Sequence, residues 1–115
     1  MKLKIYHNPR CGKSREALKY LQQKEIETEI ILYLQNTPTF EEIKEVIRKL
    51  KIKPFDLIRK HEKIFTESFS NLNLSEDEWI QTMVDNPILI ERPVIISDHK
   101  AVIGRPKENI DELLQ

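Results

Sequence analysis

The order strand, loop, helix, strand within the first 33 residues constrains this chain more than any other feature. Leu3 and Ile5 alternate with Lys2 and Lys4, the two-residue period of a strand with one buried face. Asn8-Pro9-Arg10-Cys11-Gly12 is rich in turn formers. Ala17, Leu18 and Leu21 then recur at helical spacing, which predicts a helix from about Cys11 to Lys24. Thr28 to Tyr33 is β-branched and apolar, a second strand. Strands joined through a helix in this way pair in parallel.

The middle of the chain reads as helical. Thr39 with Glu42 forms a capping box ahead of Ile43, Val46, Ile47 and Leu50, and Ser75 with Glu78 forms another ahead of Trp79, Ile80, Met83 and Val84. Asn86-Pro87 stops the second of these helices. His61 to Leu74 has no clear period, so loops with a short helical turn are expected there. Val94 to Ile96 and Ala101 to Ile103 flank Ser97-Asp98-His99-Lys100 as a hairpin. Pro106 suits the first turn of a final helix carrying Ile110, Leu113 and Leu114. A βαβ block and a ββα block sharing one mixed sheet is the thioredoxin-like (glutaredoxin-like) α/β arrangement. Its functional edge is the loop after the first strand.

The chain has 115 residues, a length that suits one domain, and its apolar (39%) and charged (33%) shares suit a folded rather than a disordered chain. Lys+Arg and Asp+Glu both number 19, so net charge makes no case for nucleic acid or an anionic membrane as partner. No apolar run approaches the ~18 residues of a membrane helix, and no signal-like stretch opens the chain. One cysteine forms no intramolecular disulfide and no multi-cysteine metal cage, so no bound metal is expected, and the location expected is the reducing cytoplasm.

That cysteine, Cys11, follows a strand and opens a helix, where free N–H groups and the macrodipole favour an anion. A thiolate is such an anion, so its pKa is expected below the free value of ~8.5. Arg10, Lys13 and Arg15 push the same way, and Gly12 lets a ligand approach the backbone. The same amides can cradle a tetrahedral oxyanion. The bland alternative is a buried, inert cysteine. His7 is either an acid/base group or a hydrogen-bonded histidine at the strand end. Ser14, at the fourth position of Cys-x-x-Ser, either donates to the thiolate or is a helix hydroxyl without chemistry. Arg59, Arg92 and Arg105 stand out by context, the last two each before a proline. An arginine fork binds oxyanions through paired hydrogen bonds, although an arginine taken singly is more often a solvated surface residue.

Tyr6-His7-Asn8-Pro9-Arg10-Cys11-Gly12-Lys13-Ser14-Arg15 resembles the active-site loop of the glutaredoxin-coupled arsenate reductases of the ArsC/Spx family. Ile30 to Leu34, Leu57 to Lys60, Asn86 to Val94 and Gly104-Arg105-Pro106 extend the resemblance in order along essentially the whole chain. It implies one thioredoxin-like domain over 1–115, with a helical insert at about 35–90. It puts the nucleophile on Cys11, pKa-lowering helpers on His7 and Ser14, oxyanion-binding residues on Arg59, Arg92, Arg105 and Gly12, and the cis-proline of such folds on Pro93. The activity it implies is reduction of arsenate to arsenite by a monomer without a bound cofactor, with glutathione as co-substrate and glutaredoxin as partner. Two other readings fit the same residues. One is a glutathione-dependent thiol–disulfide oxidoreductase. The other is an Spx-like regulator that binds RNA polymerase but lacks the Cys-x-x-Cys switch.

Overall fold

The computed structural model describes residues 2–114, which form two compact units. Residues 2–36 and 92–114 make the first, and residues 37–91 the second.

In the first unit, strand β1 (Lys2–Tyr6) leads into helix α1 (Gly12–Gln23) and strand β2 (Glu27–Ile31), and a hairpin of β3 (Val94–Ile96) and β4 (Ala101–Ile103) follows. The sheet order is β2-β1-β3-β4, with β1 parallel to β2 and antiparallel to β3. This is the mixed thioredoxin-like sheet expected from the sequence. Leu3 and Ile5 of β1, Ile95 of β3 and Val102 of β4 share one face, where Ala17 and Leu21 of α1 and Ile110 and Leu113 cover them. Those eight side chains remove enough apolar surface from water to hold strand, helix and hairpin in one core.

Two expected elements differ. Strand β2 ends at Ile31 rather than Tyr33, because Leu32 to Gln35 turns: the amides of Gln35 and Asn36 both donate to the Leu32 carbonyl. The expected final helix is a 3₁₀ segment, Lys107–Leu113, preceded by Pro106 as its N-cap. Long-range bonds to α1 set its path: Tyr20 donates its phenol proton to Asp111 at 2.6 Å, and Lys107 pairs with Glu16 at 3.3 Å.

Helix α1 ends without glycine. The Glu25 amide donates to Gln22 and the Ile26 amide to Leu21, a Schellman closure with Glu25 in the left-handed region at φ 57°. It turns the chain so that Ile26 packs on the core.

The second unit contains α2 (Phe40–Leu50), a 3₁₀ turn (Pro54–Leu57), α3 (Lys63–Ser68), α4 (Glu76–Asp85) and a second 3₁₀ turn (Pro87–Leu89). Both capping boxes are present: Thr39 accepts from the Glu42 amide and Ser75 from the Glu78 amide, with each glutamate bonding back. Ile43, Val46 and Ile47 of α2 are buried, as are Ile80 and Met83 of α4, and Phe55, Phe65 and Trp79 cluster with ring centroids 5.1 to 6.2 Å apart. The short helix expected in the unpatterned stretch is α3. Among the described residues no helix is long and apolar enough to cross a membrane.

Gly104 joins the hairpin to the arginine that follows it. Its amide donates to the Pro93 carbonyl at 2.8 Å, and an added Cβ would lie 2.5 Å from Ile95 Cδ1 and 3.2 Å from Pro93 Cγ. Both neighbours are buried and have little room to shift. Gly104→Ala is therefore expected to lower unfolding free energy by about 1–3 kcal/mol through overpacking. Urea denaturation checks this; an unchanged midpoint would show that the Ile95 side chain yields freely.

Candidate active site

The site begins with a buried hydroxyl. Helix α1 turns Ser14, Ala17 and Leu21 inward, so the core-facing stripe includes a serine that has to find hydrogen bonds there. It finds them at the end of β1. Ser14 Oγ lies 2.6 Å from His7 Nδ1 and accepts from the Asn8 amide at 3.0 Å. Burial, and then the positive charge of Arg15, lower the His7 pKa below its ordinary 6.5, so the ring is neutral at pH 7. One proton lies between Ser14 Oγ and His7 Nδ1, and the hydroxyl, with one donor and two acceptor positions, satisfies the ring in either neutral tautomer while accepting from Asn8.

Asn8 closes the loop. Its Oδ1 accepts from the Arg10 amide at 3.0 Å, and its carbonyl accepts from the Cys11 amide at 3.0 Å. Sequence reading placed Asn8 in the loop but gave it no role; the Asn-Pro pair that marked the turn was its signal. Arg15 donates to the Pro9 carbonyl at 2.9 Å, tying the loop to the first turn of the helix.

Cys11 is the N-cap residue of α1, with extended backbone (φ −95°, ψ 121°), and it makes no conventional side-chain cap. The first-turn amides are left to the sulfur. Burial by itself pushes the thiol pKa up. The Ser14 amide, a hydrogen bond from Arg92, the Lys13 amide and the charge of Arg92 oppose it, and the result lies below the ordinary 9.0. Ser14 therefore acts on the sulfur through its backbone, while its hydroxyl serves His7 and Asn8.

The cation at the thiol also differs from the expectation. The charge that lowers its pKa comes from Arg92 and not from the side chains of Arg10, Lys13 or Arg15, close in sequence. Lys13 pairs with Glu16 at 3.8 Å and Arg15 is spent on Pro9. Arg92 arrives instead from the start of β3. Tyr6 at the end of β1 is opposite Val94, and Arg92-Pro93 directly precedes that pair. The Arg92-Pro93 and Arg105-Pro106 bonds are both cis. Arg105 Nη1 donates to the Arg92 carbonyl at 3.3 Å. Cys11, Arg92 and Arg105 thus belong to the first unit, and Gly12 directly follows the cysteine at the helix start.

Arg59 belongs to the second unit. Its side chain is 11% exposed, donates from Nε to Glu62 at 2.9 Å and pairs through Nη1 with Glu91 at 3.8 Å. Among the described residues no cluster of His, Cys, Asp or Glu could hold a metal ion.

A recess of ≈ 270 Å³ opens between His7–Arg10 and the turn at Leu32–Gln35. A larger one, ≈ 360 Å³, lies by Lys2 and the Ser97–Lys100 hairpin, at the other end of β1, and plays no part in the thiol site.

A lowered thiol pKa has two measurable consequences. Alkylation of Cys11 by iodoacetamide should stay fast well below pH 9, and Arg92→Ala should move its midpoint upward. The thiolate's contribution to stability is fully present above 9.0 and is lost as pH falls through the folded-state pKa. The stability difference between wild type and Cys11→Ser should accordingly grow from pH 7 to pH 9. His7 has the same sign: its contribution is present above 6.5 and lost in acid. Alkylation that titrates like a free thiol would refute the first claim.

Comparison with known proteins identifies relatives of this arrangement. The family model described as ArsC family matches residues 6–113. An uncharacterised Escherichia coli protein, YfgD, is 40% identical over 114 residues, covering 97% of this chain and 96% of that protein. An arsenate reductase of Neisseria meningitidis serogroup B is 38% identical over 114 residues, with 97% of each covered. The solved structure of an arsenate reductase from Vibrio cholerae superposes with a TM-score of 0.93 at 36% identity, again over 97% of both chains. Sequence and fold agree over the span that holds the cysteine loop and both proline-flanked arginines, and the chain belongs to the ArsC family.

Proposed function

We propose that this protein is an arsenate reductase that uses Cys11 as its nucleophile and an external thiol as its reductant. The observation that carries the reading is the Cys11 thiolate at a helix N-terminus, favoured by two amides and by Arg92, with Arg105 bonded to the Arg92 backbone. Full-length relatives named arsenate reductase support the substrate. In this reading Arg92 and Arg105 hold the arsenate oxygens through charge-assisted hydrogen bonds, and Gly12 leaves the loop backbone open to them. His7 and Ser14 keep the loop in the shape that exposes the sulfur to arsenic.

The chemistry follows from one cysteine. The Cys11 thiolate attacks arsenic and a protonated oxygen leaves as water, giving a sulfur–arsenic(V) adduct. A second thiolate then attacks the Cys11 sulfur. The sulfur–arsenic electron pair passes to arsenic, which leaves as arsenite, and a mixed disulfide remains. Two thiols are oxidised and arsenic gains two electrons. The chain has no second cysteine, so the second thiol comes from outside, and glutathione fits that role. Glutaredoxin then reduces the mixed disulfide. A glutathione pool of that kind is a property of the reducing cytoplasm.

The test is NADPH oxidation in the presence of arsenate, glutathione, glutathione reductase and glutaredoxin. Wild type should turn over and Cys11→Ser should fall to background. In calorimetric titration with arsenate, Arg92→Ala and Arg105→Ala should each lose about 2 kcal/mol or more of binding, the cost of breaking a desolvated charge pair. Turnover without glutaredoxin at the same rate would remove that partner, and arsenate binding equal to wild type in both variants would remove the arsenate reading.

A further inference from the structure

The recess of ≈ 270 Å³ beside the cysteine loop is walled entirely by residues of the first unit. One wall is Asn8, Pro9 and Arg10, which lead directly into Cys11. The other is the turn after β2, where the amides of Gln35 and Asn36 donate to the Leu32 carbonyl. That turn buries Tyr33 and gives Leu32 and Leu34 to the recess, with Leu34 left 39% exposed. The volume is near the small end of ligand pockets, which begin at about 300 Å³.

The first wall carries two unspent donors. Asn8 is 6% exposed, and its Oδ1 accepts from the Arg10 amide, which fixes the orientation of its side-chain amide. Its Nδ2 has no partner among the described residues. The Arg10 side chain makes no ion pair or hydrogen bond among the described residues, whereas Lys13 pairs with Glu16 and Arg15 bonds Pro9. Nor is the charge of Arg10 one of those that act on the thiol. Leucines and a proline suit the methylenes of a ligand, an amide donor suits a peptide carbonyl, and a guanidinium suits a carboxylate.

We propose that this recess seats the peptide of the reducing thiol, glutathione, with Arg10 pairing one of its carboxylates. The inference rests on the reading that an external thiol completes the reaction at Cys11. Arg10 and Cys11 are neighbours in the chain. Their Cα atoms are therefore ~3.8 Å apart, and an extended tripeptide spans about 10 Å. A carboxylate held on Arg10 leaves the thiol of the same ligand able to meet the Cys11 sulfur.

S-methylglutathione keeps both carboxylates and has no free thiol, so it serves as the binding probe. In an NMR titration of the full chain it should shift the amides of Asn8, Arg10 and Leu32 to Gln35. In the coupled arsenate assay KM for glutathione should rise roughly threefold in Arg10→Gln, the effect of an exposed ion pair, and roughly tenfold in Arg10→Glu, where attraction becomes repulsion. With 2-mercaptoethanol, which has no carboxylate, the same variants should react at wild-type rates in single turnover. An effect acting through the Cys11 sulfur would instead slow both thiols alike. Unchanged glutathione KM in both variants, with wild-type turnover of arsenate intact, would overturn the recess and leave the arsenate reading standing. A chain that turns over no arsenate yet binds S-methylglutathione at these amides would overturn the arsenate reading and keep the recess. Shifts produced there by reduced glutaredoxin and not by S-methylglutathione would give the surface to the protein partner and overturn the proposal.

Discussion

The hydrogen bonds of one buried hydroxyl hold the reactive loop in shape. Ser14 sits on the inward stripe of α1, and its oxygen meets both His7 and the amide of Asn8 where β1 ends. Stripping these groups of their partner would leave a buried imidazole nitrogen and a buried amide unsatisfied, each costing about 1–3 kcal/mol. The strand end and the first helical turn are therefore clamped together, and the five residues between them have a defined path. Asn8 completes that path by accepting from Arg10 and Cys11. Cys11 is left at the N-cap position with the first-turn amides beside it.

The thiol is tuned by opposing effects. Burial disfavours the thiolate, and it is the largest single influence on Cys11. The amides of Ser14 and Lys13 and the guanidinium of Arg92 together outweigh it. The amides belong to the loop and the helix start, but Arg92 depends on the sheet. The register of β1 with β3 places Val94 opposite Tyr6 at the end of β1, and the close approach of Gly104 to Pro93 and Ile95 brings Arg105 to the Arg92 backbone. A glycine with no side chain is thus part of how Arg105 reaches the backbone of Arg92, the arginine that acts on the sulfur.

The second unit uses the same economy of means in a different setting. A ladder of two bonds between 57–59 and 89–91 fixes one arginine, and carboxylates at Glu62 and Glu91 compensate its charge. At 11% exposure that guanidinium could not be left unpaired without a large desolvation cost. Capping boxes at Thr39 and Ser75 begin the longer helices of this unit, so their starts are set by local bonds while their packing is set by the buried faces of α2 and α4.

What could be read from the sequence was local in origin. The alternation of Leu3 and Ile5, the helical spacing of Ala17 and Leu21, both capping boxes, and the hairpin at Val94–Ile96 and Ala101–Ile103 depend on neighbours within a few residues, and the elements form where those patterns lie. A strand running into a helix at a lone cysteine was enough to single out Cys11. Helix ends were less legible: Glu25 and Lys51 take left-handed conformations at positions where glycine would have been the signal. The last segment carried a helical apolar spacing but folds as 3₁₀, its course governed by Tyr20 and Glu16 on α1. Charge was the clearest case of misdirection. Arg10, Lys13 and Arg15 are near Cys11 along the chain, yet Arg92, 81 positions away, supplies the cation that favours the thiolate. Covalent proximity on a helix start says little about where a flexible cationic side chain ends, whereas β-sheet register brings distant segments to a set separation. The sequence by itself determined that a lone cysteine opens the first helix and which elements surround it. Only the tertiary structure decided which charge faces it, because that depends on how the hairpin pairs with the first strand.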